Sequence, residues 1–224
     1  MTDDEYLKSV RRGLKASVRF FESQNRQRRE RHVVREFLRN LGRRCLVREL
    51  ESVADDPPDV RFRDCIFEIK EHMDPRERHR EYKVALKKAC AATDPSELIE
   101  HFTPKDISLS DLYGLVLADA HALANNKYPL AVIREIDLLV YVNLQDVMGM
   151  KVTPLPDVTP LASLGWRSVS FVKGHWSCVL TASDKAPAFL RDLAGKLVHR
   201  KPPGRRPYLT RRSTRTRGKS TRAG

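Results

Sequence analysis

Between Val60 and Met73 apolar and polar residues alternate about a centre at Arg63-Asp64. Strand side chains alternate with a period of two, so the pattern predicts two antiparallel arms, 60–63 and 66–73. Pairing about that centre sets residue 62 opposite 65, 60 opposite 67 and 59 opposite 68. One face then carries Val60, Phe62, Cys65, Phe67 and Ile69. The other carries Asp59, Arg61, Glu68, Lys70 and His72, with Ile66 a misfit. A slip of one residue would bury the charges and expose the apolar set, so hydrophobicity pins the register. Arg63-Asp64 is a weak turn signal, and a longer loop on the same centre fits equally well.

The other elements follow from periodicity and caps. Leu7, Val10, Leu14, Val18 and Phe21 predict a helix over 5–24, and a second helix runs to Leu41, ahead of Gly42. A strand is expected over Leu46–Val53, then a turn at Asp55-Asp56-Pro57-Pro58. Asp74, Pro75 and Glu77 form a helix start, with the helix continuing to Ala92. Ser108 caps a further helix towards Asp111. The apolar run Ile136–Leu144 suits a strand buried on both faces. A Pro-rich link over 153–160, strands over 168–172 and 176–181, and a last helix over 184–198 complete the reading. This mixture predicts an α/β or α+β fold, a small central sheet flanked by helices. One domain is expected over 1–198, followed by a tail over 199–224.

The net charge of +13 is unevenly spread. From His199 onward there are ten Lys or Arg and no acid, in a Pro-, Gly-, Ser- and Thr-rich segment. Such a tail is expected to be disordered and able to wrap a polyanion. Lys8 to Arg48 holds fourteen Lys or Arg against three Glu. Two basic blocks favour nucleic acid as partner, through phosphate neutralisation and counterion release. Arg26, Arg28 and Arg29 in the first block and Arg205, Arg206, Arg211 and Arg212 in the tail are the candidate contacts. Contact with ribosomes or anionic lipid is the weaker alternative. No apolar run approaches the roughly 20 residues that cross a bilayer. The opening MTDDEYLKS is acidic, so no signal peptide is expected. Cys45, Cys65, Cys90 and Cys178 form no CxxC pair, which suits a reducing compartment, and a cytoplasmic location is expected.

Chemistry concentrates on the hairpin's polar face. Asp59 beside Glu68 repels unless a cation lies between them, and carboxylate oxygens suit Mg²⁺ or Mn²⁺. Lys70, about 7 Å further along the strand, can position a water and stabilise developing negative charge. On the second helix Val33, Val34, Phe37, Leu38 and Leu41 form one stripe, and Glu30 falls near its centre. A Glu there needs a metal or a cation as partner, unless that end of the helix stands in water. His72 shares the face of Lys70 and could touch phosphate or stay a polar surface residue. His79 and His101 have no metal-like spacing, and His175-Trp176 suits packing more than base stacking.

Pro58-Asp59 followed by Glu68-Ile69-Lys70 resembles the PD-(D/E)XK motif of the restriction-endonuclease-like nuclease superfamily. More narrowly, the chain resembles an uncharacterised bacterial group of endonucleases within it. The similarity covers about residues 26–144. It implies a restriction-endonuclease-like core, with 150–198 as an extension. It also implies a Mg²⁺-dependent endonuclease acting on nucleic acid, most simply DNA. Asp59, Glu68 and the Ile69 carbonyl would be metal ligands, Lys70 would attend the nucleophilic water, and Glu30 would match the family's helical acid. The alternative is a nuclease scaffold that binds nucleic acid without cutting it. A homodimer is compatible with either, since nucleases that cut both strands often use two sites. One departure from the pattern is the pair of helices expected between Lys70 and Ile136, where a minimal core needs one.

Overall fold

The computed structural model describes residues 2–73, 80–99, 103–144 and 146–201. Helix α1 (Asp3–Phe21) opens on a capping box in which Thr2 accepts from the Glu5 N–H and Glu5 accepts from Thr2. Helix α2 (Arg26–Asn40) stops ahead of Gly42, whose φ of 69° is the left-handed conformation that ends helices. The remaining elements, in chain order, begin with β1 (Glu51–Ser52), β2 (Val60–Phe62), β3 (Cys65–Met73) and α3 (Arg80–Ala91). Next come β4 (Lys105–Ser108), α4 (Leu109–Asn126), α5 (Leu130–Ile133), β5 (Asp137–Asn143) and β6 (Val147–Lys151). The chain finishes with α6 (Thr159–Ala162), β7 (Ser168–Lys173), β8 (Trp176–Ala182), α7 (Ala188–Arg191) and β9 (Lys196–His199).

The hairpin forms in the predicted register, with Val60 opposite Phe67 and Phe62 opposite Cys65. It belongs to a mixed sheet ordered β1-β2-β3-β5-β7-β8-β9. The β3, β5 and β7 strands run parallel, and the pairs outside them are antiparallel. Each face has its own core. Val60, Phe62, Cys65 and Phe67 pack with Val34, Phe37 and Leu38 of α2, and Leu190 of α7 joins them. On the opposite face Leu112, Val116 and Ala120 of α4 pack with Leu138, Val140 and Phe171. The sheet therefore lies between helices, and β5 is buried on both faces, as its apolar run predicted. Ile66 is no misfit: it packs into the α4-side core, so that face of the hairpin is covered.

Two expectations need correction. Leu46–Val53 is not one strand but a short 3₁₀ turn, Val47–Glu49, followed by the two-residue β1. The helix expected over 184–198 is only the single turn α7, after which β9 pairs with β8. Trp176 stacks on His199 at 3.9 Å across that pair, a contact between neighbouring strands that helical periodicity cannot reveal. A separate two-stranded sheet, β4 with β6, was not foreseen. Asp74, Pro75, Glu77, His79 and His101, with Arg205, Arg206, Arg211 and Arg212 of the tail, lie outside the described residues. Ser108 does cap α4, accepting from the Asp111 N–H.

One buried charge pins the parallel strands together. Asp137, at the start of β5, is wholly buried. It accepts from Nε and one terminal nitrogen of Arg167, from Ser168 Oγ at 2.7 Å, and from the Ile66 N–H at 3.0 Å. Arg167 also donates to the Asp64 carbonyl in the hairpin turn. The network thus ties β3 to β5 and β7 at one end of the sheet. A buried pair left with one partner is costly. Asp137→Ala should lower unfolding stability by about 3–5 kcal/mol, read as the midpoint shift in urea, and an unchanged midpoint would contradict this role.

Candidate metal centre

Asp59 lies just before β2 at the end of the hairpin, where the cis Pro57 and Pro58 peptides lead into it. It is buried, and both carboxylate oxygens are engaged. Oδ2 accepts from the Ile69 N–H at 2.9 Å, and Oδ1 accepts from Arg26 at 2.7 Å. Glu68, in β3, is buried beside it. The third acid is Asp56, from the turn, and carboxylate oxygens of Asp56, Asp59 and Glu68 all lie within 4.8 Å of one another. The register that the hydrophobic pattern selects thus brings Asp59 and Glu68 together.

Glu30 is drawn in through an arginine. It sits in the buried stripe of α2, and Arg26 Nε donates to its Oε1 at 2.5 Å while another nitrogen of Arg26 holds Asp59. Burial pushes the Glu30 carboxyl above the ordinary range. Arg26 opposes that push, while the charge of Asp59 adds to it. Arg26 was expected as a phosphate contact, and here its guanidinium bridges two acids of the cluster. Arg29 donates to the Phe20 carbonyl and lies over the Phe21 ring. Arg28 is exposed and lines a separate hollow with Arg31 and Arg35.

Two partners of the acids escaped the sequence reading. Past the end of α4, Lys127 Nζ lies 3.2 Å from Glu68 Oε1 and 3.0 Å from Asp56 Oδ2. The Tyr128 hydroxyl contacts the same Glu68 oxygen at 2.6 Å and Asp56 Oδ1 at 2.8 Å. Burial opposes the ammonium charge of Lys127, yet the two carboxylates hold its pKa above the usual value. Glu68 is pushed up, first by burial and then by the charge of Asp59, against the pull of Tyr128 and Lys127. Asp56 goes the other way. Burial would raise it, but its bonds to Tyr128 and Lys127 lower it. One phenol carries one proton, so the Tyr128 hydroxyl shares a single donor between Glu68 Oε1 and Asp56 Oδ1.

Lys70 stands apart from this knot. Its Nζ is 4.0 Å from Asp119 Oδ1 on α4, and His72 Nδ1 is 2.7 Å from Asp119 Oδ2. The helical-wheel test that singled out Glu30 also detects Asp119, which falls inside the apolar stripe of α4 formed by Leu112, Val116, Ala120 and Leu123. Lys127 and Tyr128 give no such signal, because they follow the helix and are placed by the chain turning at Pro129.

The oxygen left over is informative. Among the described residues, Glu68 Oε2 is buried with no hydrogen-bond partner. A buried, unpartnered carboxylate oxygen costs stability. Together with Asp56 and Asp59, it supplies the hard oxygen donors that Mg²⁺ or Mn²⁺ takes, so the residues present fit such an ion. The raised pKa has a sign that can be checked. An acid whose pKa is higher folded than unfolded lowers stability as pH rises from its unfolded value, near 4.3, through the folded value. Without divalent ions, Glu68→Gln should therefore gain melting temperature over the parent as pH climbs from 4 to 8. A constant difference across that range would contradict the burial effect.

The sequence has no significant match among curated proteins. Among solved structures, one similar chain is a protein of unknown function from Pseudomonas aeruginosa strain PAO1, described under the Monooxygenase Superfamily. The identity is 25%, the TM-score is 0.61, and the match covers 90% of this chain and 97% of that one. A family model described as "Putative endonuclease, protein of unknown function (DUF1780)" matches residues 2–204. That is nearly the whole length, and the chain belongs to this family.

Proposed function

We propose that the chain hydrolyses phosphodiester bonds of nucleic acid, most simply DNA, with Mg²⁺ or Mn²⁺ held by Asp59, Glu68 and Asp56. The observation that carries this reading is the buried Glu68 Oε2, without a partner and beside two further carboxylates. Family membership supports it, and so does the PD-(D/E)XK-like arrangement of Asp59, Glu68 and Lys70. A bound divalent ion supplies charge neutralisation at phosphate and lowers the pKa of water. The chain's own groups do the rest. The Ile69 N–H and Arg26 fix the orientation of Asp59. Lys127 stands among the acids as an internal cation and must release Glu68 for the carboxylate to turn to a metal. Lys70, on the same strand face, is the group to orient a water and offset negative charge at phosphorus. Glu30 acts through Arg26, by holding the guanidinium against Asp59.

A scaffold that only binds nucleic acid would have no use for the unpartnered oxygen of Glu68. The superfamily description of the Pseudomonas protein points to redox chemistry there. The three acids of this cluster are hard oxygen donors, which favour a redox-inert ion and hydrolysis here. With supercoiled plasmid and Mg²⁺ or Mn²⁺, the parent should nick or linearise DNA. Asp59→Asn and Lys70→Met should each lose roughly 10²–10⁴-fold in rate while keeping their melting temperatures within a few degrees. Uncut DNA with every divalent ion, or undiminished cleavage by Asp59→Asn, would overturn the reading. Mg²⁺ should also raise the melting temperature of the parent with increasing concentration. The same titration should leave Glu68→Gln nearly unmoved, and equal shifts in both would place the ion elsewhere.

A further inference from the structure

A groove runs along the α2 side of the sheet, away from the acids. Its floor is level across three parallel strands, since Glu71 lies beside Tyr141 and Tyr141 beside Val172. At the acid end a compartment of about 160 Å³ is bounded by Arg26, Arg29 and Glu30. At the far end a compartment of about 570 Å³ is bounded by Arg35, Arg39, His175 and Arg200. Val33 and Tyr141 line both, so the two adjoin. The wall is helical. Arg29, His32, Arg35 and Arg39 follow at steps of three, three and four, which places them along one ridge of α2.

Charge along the groove is arranged for an anion. Its acids are already engaged. Glu30 holds Arg26, Glu36 holds Arg39 at 3.4 Å and Arg200 at 3.2 Å, and Glu71 accepts from Asn143. Each guanidinium has five N–H donors, more than these bonds use. Arg200 is built in rather than loose. Its Nε donates to Asn40 Oδ1 at 2.8 Å, and buried Asn40 in turn donates to the Gly174 carbonyl and Ser177 Oγ. The chain leaves this end of the groove at Lys201, and residues 202–224 add eight Lys or Arg and no acid.

We infer that this groove seats the phosphate backbone of a nucleic-acid strand along α2, between Arg200 and the Arg26–Glu30 pair. The inference rests on the nucleic-acid reading above and extends it to a surface. Arg26 to Arg39 spans roughly 20 Å along the helix axis, the length of about six nucleotides at 3.4 Å each. A concave, linear track between a helix and a sheet suits a strand, whereas an anionic membrane presents a flat surface.

The test uses the full chain, a fluorescein-labelled DNA duplex and either of its single strands, in EDTA, with anisotropy measured across a salt series. Arg35→Ser/Arg39→Ser should weaken binding at least about tenfold at low salt and flatten the log–log salt slope by about two. Arg35→Lys/Arg39→Lys should keep most of the affinity, because it keeps the charge. Unchanged affinity and slope in the Ser variant would overturn the groove, and so would an equal loss in the Lys variant. Preference for phosphatidylserine vesicles over DNA would overturn it as well. If the parent binds neither strand nor duplex, the nucleic-acid reading itself falls. If the parent binds and cuts while the Ser variant binds equally well, only the groove falls.

Discussion

Three carboxylates, of buried Asp59 and Glu68 and exposed Asp56, share one corner of this sheet, and their repulsion is the constraint around which the site is organised. Water cannot screen Asp59 and Glu68 there, so the protein brings its own donors from three directions. Arg26 comes from the start of α2, Lys127 and Tyr128 from beyond α4, and the Ile69 N–H from the neighbouring strand. Each compensating group also docks its element. Helix α2 is held over one face of the hairpin, and the end of α4 is held against the other. The same contacts leave Glu68 Oε2 unpaired. A corner built only for stability would replace that carboxylate with an apolar side chain.

One register position from Glu68, the start of β5 carries the counterpart, and there the charges close on themselves. Asp137, Arg167 and Ser168 satisfy one another away from solvent, and the network reaches into the hairpin turn through Asp64. The two clusters differ in kind. The Asp137 carboxylate has a partner for both oxygens, and the acid corner does not. The contrast separates a structural ion pair from a cluster with open valence, although both are buried carboxylates in the same sheet.

Much of this was legible in the sequence wherever one residue's neighbours were close in the chain or periodic. The hairpin register, and with it the meeting of Asp59 and Glu68, followed from alternation alone. The Ser108 cap and the doubly buried β5 were equally local signals. Glu30 was found because a charge in an apolar helical stripe stands out, and Asp119 was open to the same test. Contacts made by irregular chain were not legible. Asp56 lies in a turn, and Lys127 and Tyr128 follow the end of a helix, so no period points to them. The segment after Asp184 mixes apolar and polar residues in a way that suits a helix. It becomes one turn and an edge strand because β8 offers an unpaired side and Trp176 offers a ring for His199. Lys70 was placed on the correct face, but pattern alone could not show that Asp119 lies nearer to it than the acids.

The central claim is that the corner holds a divalent ion in exchange for the internal ammonium. Crystals soaked in Mn²⁺ and measured for anomalous scattering test it most directly. The account predicts an anomalous peak bounded by Asp59, Glu68 and Asp56, with the Lys127 side chain withdrawn from Glu68. A corner without a peak, its Lys127 still paired to Glu68 at saturating Mn²⁺, would contradict it.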